Sequence, residues 1–236
     1  MISEQKFGEL MAAIGLPEAA GEYERFALYC RELQEWNEKI NLTAITDDEG
    51  IAIKHFADSL LPLAMTELPQ GARLIDVGSG AGFPSLPMAM VRGDLRITFL
   101  DSLQKRLTFL DQLCVKLGVE ACTLHLRAED AGRDPVHREK YDIATARAVA
   151  NLNVLAEFCL PLVKPGGVFL ALKGSAGREE AVAAEHAIVE LGGKIETMQD
   201  YALPGGDARV LIVIRKERRC LPRYPRQTAQ ITKKPL

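Results

Sequence analysis

The sequence predicts an α/β fold: a mostly parallel sheet of seven strands, one of them antiparallel, behind an N-terminal helical cap. Three observations predict it. Beyond Gly71, short apolar runs alternate with stretches of helical spacing, the arrangement of right-handed βαβ units with helices on both faces of a sheet. The first 70 residues show helical periodicity and no convincing strand. The last two strand-like runs are joined by "PGGD" and not by a helix, which suits a hairpin and sets the final strand antiparallel. A chain of 236 residues fits one domain of ordinary size with a small extension. The expected division is a helical extension over 1–70, a core domain over 71–216 and a basic tail over 217–236.

Within the cap, Phe26, Tyr29, Leu33, Trp36 and Ile40 follow the three-and-four spacing of an amphipathic helix. Thr46 stands three residues before Glu49, matching a capping box for a second helix from about Asp47 to Met65. On it, His55 and Asp58 share a face and read as a structural hydrogen bond rather than a substrate contact. The strands then follow as "RLIDV", "RITFLD", "CTLHL", "YDIATA", "GVFLAL", "KIETMQDYAL" and "ARVLIVIRK". Helices are expected from about Pro84, over Leu103 to Leu117, near Asn151 to Leu162 and from about Arg178 to Leu191.

Composition excludes some classes. Apolar residues make up 47% and charged residues 26%, so neither disorder nor a membrane class is indicated. No run nears the roughly 18 apolar residues of a spanning helix, and the start lacks a signal peptide's basic and apolar regions; a cytoplasmic protein is expected. Cys30, Cys114, Cys122, Cys159 and Cys220 form no CxxC pair, and His55, His125, His137 and His186 no H-x-x-H pair, so neither disulfides nor a metal are expected. The net charge of −3 hides an asymmetry: residues 215–236 hold eight Lys or Arg against Glu217 alone. A basic end of this kind suits a polyanion.

The "DVGSGAG" stretch joins the first strand to a helix. Glycine backbones there allow close approach, and the helix start offers unpaired N–H groups. A dinucleotide loop has the spacing G-x-G-x-x-G, whereas Gly78, Gly80 and Gly82 give G-x-G-x-G, with Phe83 at the sixth position. Asp76, two residues before Gly78, would repel a pyrophosphate. A cationic ligand without phosphate fits better. The next strand ends in Asp101, placed to accept from both ribose hydroxyls, and the third leads into Ala128 and Glu129, placed to meet an adenine edge. Ribose, adenine and a cation together describe S-adenosylmethionine.

The stretches "LQEWNEKINLTAIT", "KHFADSL", "LIDVGSGAGFPSLPMAM", "LDSLQKRLTFL", "RAED", "ATARAVA", "LPLVKPGG", "RYPR" and "KKPL" resemble the ribosomal RNA small-subunit methyltransferase G family, also called glucose-inhibited division protein B. The likeness runs from about Leu33 to Leu236. It implies a Rossmann-like class I S-adenosylmethionine-dependent methyltransferase fold and methylation of guanine N7 in the 530 loop of 16S rRNA. The partner would be 16S rRNA or the small ribosomal subunit, met by a monomer with no membrane attachment. By the same likeness Gly78, Phe83, Ala128, Glu129 and Arg147 match cofactor-binding positions, with Gly80 and the run Asp101, Ser102 and Leu103 beside them. One departure stands between "RYPR" and "KKPL", where a glycine-containing turn of the family is replaced by "QTAQIT".

Guanine N7 carries a lone pair and no hydrogen, so its methylation needs no general base; catalysis rests on aligning N7, methyl carbon and sulfur. Phe83 is either packed in the core or against the adenosine, or a neighbour of the cationic base. Arg147, after the fourth strand, is expected at the crevice rim. Lys173, Arg223 and Arg226 are expected as phosphate contacts that position RNA without reading it. Two other readings use the same fold: a small-molecule methyltransferase, and a non-catalytic RNA-binding module.

Overall fold

The computed structural model describes residues 1–147 and 149–236; Ala148, inside the "ATARAVA" stretch, lies outside the described residues. The cap consists of α1 (Glu4–Ala13), a 3-10 turn (Pro17–Glu22), α2 (Tyr23–Ile40), and a helix that begins as α3 (Asp48–Gly50), widens into a π-helical stretch (Ile51–Ala57) and continues as α4 (Asp58–Met65). The cap of α3 differs from expectation. Asp47, not Thr46, occupies the N-cap, and its carboxylate accepts from the Gly50 N–H at 2.6 Å. In "TDDE" either position offers a capping oxygen, and Asp47 has the extended backbone of an N-cap, at φ −79° and ψ 149°.

The alternation of strands and helices follows: β1 (Arg73–Val77), α5 (Ser85–Val91), β2 (Arg96–Asp101), α6 (Gln104–Leu117), β3 (Ala121–His125), α7 (Ala128–Arg133), β4 (Tyr141–Arg147), α8 (Leu152–Cys159), β5 (Val163–Gly174), α9 (Gly177–Glu190), β6 (Gly193–Ala202), β7 (Ala208–Lys216) and α10 (Thr228–Lys233). They build a seven-stranded sheet of order β3-β2-β1-β4-β5-β7-β6. Strands β1 to β5 pair in parallel, and β7 runs antiparallel to both β5 and β6.

Period-two alternation sends side chains to two cores. Leu74, Leu170 and Leu211 face the cap, α5 and α6; Ile75, Val77, Phe169 and Ile212 face α8 and α9. The cap shares the first core with the sheet, since Phe26 and Phe56 belong to one cluster with Phe99 and Phe109. Residues 217–236 fold back onto the second core: Cys220, Tyr224 and Ile231 are buried there, and α10 packs against α8. The order of strands places the reversal of winding between β1 and β4, where carboxyl-end loops diverge and open α/β sheets bind ligands.

Candidate cofactor and substrate site

Strand β1 delivers the glycine loop to this switch point. The N–H groups of Gly78 and Ser79 donate to the Leu100 carbonyl at 2.8 and 3.1 Å, tying the loop to the end of β2. Gly78 has φ +72°, and a Cβ there would lie 2.9 Å from Val149 Cγ2. Gly82, with φ +97°, answers to a different constraint, since a Cβ would come within 2.8 Å of the Tyr29 hydroxyl and 2.9 Å of Leu110. The third glycine is therefore demanded by packing under α2 and α6, and the Tyr29 hydroxyl donates to the neighbouring Ala81 carbonyl.

Asp76 and Asp101 hold the loop from two sides. Asp76 Oδ2 accepts from the Ser85 hydroxyl at 2.5 Å and more weakly from its N–H at 3.4 Å. Asp76 Oδ1 and the Ser79 hydroxyl are buried and have no hydrogen-bond partner among the described residues. Burial pushes the Asp76 carboxyl up to about 7, against the pull of Ser85 and of the Arg147 charge. A buried polar atom without a partner is costly, and here two lie in the loop expected to hold a cationic ligand. These residues fit S-adenosylmethionine, whose ammonium can donate to Asp76 and whose carboxylate can accept from Ser79.

Asp101 accepts from the Gly80 N–H at 3.0 Å and the Leu103 N–H at 2.9 Å. Oδ2 also takes a long contact from the Arg106 guanidinium at 3.5 Å, whereas Oδ1, bonded by Leu103 alone, retains a second lone-pair direction compatible with a ribose hydroxyl. Ser102 and Leu103 are exposed beside it, and the Ser102 carbonyl accepts from His125 at 3.1 Å. Ala128, half-buried, opens α7. The Glu129 carboxylate is buried and accepts from the Thr228 hydroxyl, while the backbone N–H groups of Ala128 and Glu129, at the first turn of α7, have no intrahelical acceptor.

Arg147 ends β4 with its side chain 12% exposed. Its guanidinium bonds Asp58 at 3.1 Å, the Lys54 carbonyl at 3.1 Å and His55 Nδ1 at 3.2 Å, and lies 4.8 Å from the Phe83 ring centre. Because Nδ1 accepts, the hydrogen-bond network assigns the ring proton to Nε2, which donates to Thr43 Oγ1 at 2.7 Å. Burial, then the Arg147 charge, push the imidazole down to about 3. Thus the side chains of His55 and Asp58 are joined through Arg147 and not to each other. Phe83 is a packed ring, stacked on Tyr29 at 5.3 Å and on His55 at 4.5 Å.

The structure brings Gly78, Gly80 and Asp101 together at one loop and Phe83 and Arg147 at the other side of it. Lys173, Arg223 and Arg226 stand apart. Lys173 is buried, pairs with Glu180 at 2.7 Å and donates to the Ala150 carbonyl at 2.9 Å. Arg226 grips the fully buried Glu157 at 2.6 Å. The sequence suggests a phosphate contact for each; instead, both are paired with protein carboxylates, because burial of the Lys173 ammonium in one pair and of the Glu157 carboxylate in the other requires a countercharge. Arg223 pairs with Glu190 yet stays exposed. Sequence reasoning misses Tyr29, Ser85, Tyr201, Arg209 and Thr228, for which no local pattern exists. Tyr201 and Arg209 reach Asp58 at 3.2 and 3.4 Å from the far hairpin. A cavity of about 1000 Å³ lies elsewhere, at the amino ends of β1 to β3 around Arg73 and Arg96.

Comparison with known proteins agrees with this arrangement. The family model described as GidB, rRNA small subunit methyltransferase G, matches residues 22–204. The Clostridium botulinum (strain Eklund 17B) protein named ribosomal RNA small subunit methyltransferase G is 45% identical over 237 residues, covering 98% of this chain and 99% of its own. Its namesake from Lactobacillus delbrueckii subsp. bulgaricus is 44% identical over 239 residues, with full coverage of both. Among solved structures, Pyrococcus horikoshii TYW2 in complex with MeSAdo aligns with a TM-score of 0.52 at 16% identity, over 68% of this chain and 62% of that one; this likeness concerns the fold alone. The chain is a member of the rRNA small subunit methyltransferase G (GidB) family.

Proposed function

We propose that the protein transfers the methyl group of S-adenosylmethionine to N7 of a guanine in the 530 loop of 16S rRNA. The observation that carries this is the end-to-end likeness to methyltransferase G proteins, 45% over 98% of the chain. The unpaired Asp76 and Ser79 atoms in the glycine loop support the cofactor. When bound, S-adenosylmethionine supplies a methyl group on a cationic sulfur. The chain's own part is to hold: Gly78, Gly80, Asp76, Asp101, Ala128 and Glu129 would bind the cofactor along the ends of β1, β2 and β3. Ser102 and Leu103 would border the ribose, while Phe83 and Arg147 would form the wall on the β4 side.

No side chain has to take a proton, because N7 has none to give. His55 suits such a site: with its imidazole pushed down to about 3, it stays neutral and structural at pH 7. Arg223, exposed on the folded-back segment, is the remaining expected arginine able to meet an RNA phosphate. The reading includes a monomeric enzyme in the cytoplasm, where its substrate is assembled.

The test is incubation of the purified protein with labelled S-adenosylmethionine and small subunits lacking the modification, followed by nucleotide mapping. Label is expected on N7 of a 530-loop guanine. Label on another position, or on no ribosomal RNA, would overturn the proposal.

A further inference from the structure

The segment that departs from the family pattern, "QTAQIT", forms α10 and touches the cofactor side of the sheet. We infer that residues 224–228 are a positioning element for the adenine end of the site, with Thr228 as the positioning residue for α7. The inference rests on the reading that Ala128 and Glu129 border the adenine.

Helix α7 spans six residues, Ala128–Arg133, and its N-cap residue Arg127 makes no side-chain capping bond. A helix this short does not hold its place by its own hydrogen bonds. Its first N–H groups, those of Ala128 and Glu129, have no intrahelical acceptor, which is what lets them meet a ring nitrogen of adenine. A hydrogen bond of this kind needs a donor within about 3 Å of its acceptor, so a small shift of α7 forfeits it.

The returning chain supplies the missing anchorage at both ends of α7. At the amino end, the Thr228 hydroxyl donates to Glu129 Oε1. At the carboxyl end, Arg133 Nε donates to the Pro225 carbonyl at 2.9 Å, and Pro225 lies so close that a Cβ on Gly132 would be 2.9 Å from its Cγ. Arg138 bridges the two chain segments by donating to the carbonyls of Gly132 at 2.8 Å and Tyr224 at 2.7 Å. The returning chain is itself fixed. Arg226 is clamped on Glu157, Tyr224 donates to Glu190 at 3.1 Å, and Ile231 is fully buried. Thr228 thus links a firmly docked segment to the carboxylate at the head of α7.

Full-length Thr228→Val, Thr228→Ser, Ala128→Pro and wild-type proteins are titrated with S-adenosylmethionine and S-adenosylhomocysteine, and their methylation kinetics and melting midpoints are measured. Ala128→Pro removes the N–H at the first helical position, where proline is tolerated, and Arg127 already has the extended backbone proline requires, at φ −77° and ψ 151°. Thr228→Val is expected to raise the cofactor Kd and KM about five- to tenfold, within the range of one lost neutral hydrogen bond between an α7 N–H and the adenine. The kcat at saturating cofactor and the KM for RNA should stay unchanged, and Thr228→Ser should return cofactor affinity to within about twofold of wild type.

Wild-type cofactor affinity in Thr228→Val, a change in RNA KM in place of cofactor KM, or a failure of Thr228→Ser to rescue overturns the inference. If Ala128→Pro weakens cofactor binding and Thr228→Val does not, the positioning role alone is overturned. If neither does, the reading of Ala128 and Glu129 as the adenine border has failed with it.

Discussion

Asp76 is the residue on which the site's charge balance turns. Its carboxyl is raised from the ordinary 3.8 to about 7, so between those values the folded protein holds a proton that the unfolded chain has released. The stabilising contribution is complete below pH 3.8 and is lost as pH rises through 7. A ligand ammonium beside Oδ1 favours the ionised form, so cofactor binding should expel this proton. Cofactor affinity is expected to rise about fivefold as pH goes from about 6 to 7 and to level off about twofold higher, above about pH 8; calorimetry in buffers of different ionisation heat should register the released proton. In Asp76→Asn the slope should vanish, and a slope that persists would show that another group titrates. His55, held near 3, does not titrate in this window in the folded state. Asp76 is legible in the sequence because it precedes the glycines by two positions. Its partner Ser85 is not, because only the turn of the loop returns the chain to it.

At the scale of elements, the π-helical stretch between α3 and α4 carries the cap's chemistry. It presents His55 toward Phe83 and Arg147, and Asp58 follows at the start of α4. Asp58, 4% exposed, serves Arg147, Tyr201 and Arg209, so three strands depend on one carboxylate. Asp58→Asn is expected to cost about 3 to 5 kcal/mol in denaturant unfolding, because it leaves the enclosed Arg147 without its countercharge. A cost below about 1 kcal/mol would mark the network as solvent-screened. Strand and helix positions are readable from periodicity, since burial on both faces forces apolar runs and helical spacing. The widened turn is not, because "IAIKHFA" has no glycine or proline to announce it and satisfies α-helical spacing equally well.

For the whole molecule, the charge asymmetry is legible and its destination is not. The eight basic residues beyond Ile214 include Lys216, fully buried and donating to the Leu160 carbonyl at 2.6 Å, and Arg226, whose partner Glu157 lies 69 residues earlier. No local pattern encodes a pairing at that distance. Removing residues 217–236 should therefore act on folding before it acts on RNA. The shortened protein would expose the surface under Tyr224 and Ile231 and leave Glu157 buried without its arginine. It is expected to melt at a markedly lower temperature and to aggregate on gel filtration, and unchanged melting would restore the picture of an independent tail.

The return of the chain also sets an order of assembly. The bond from Thr228 to Glu129 spans 99 residues, and contacts between such distant partners form after local ones because the loop they close is costly in entropy. A molecule whose parallel strands have paired but whose last segment is undocked carries the glycine loop without a finished crevice. On the proposed role of Thr228, readiness to take up cofactor would be a signature of completed topology, and only chains whose end has come back to the middle would enter the catalytic cycle.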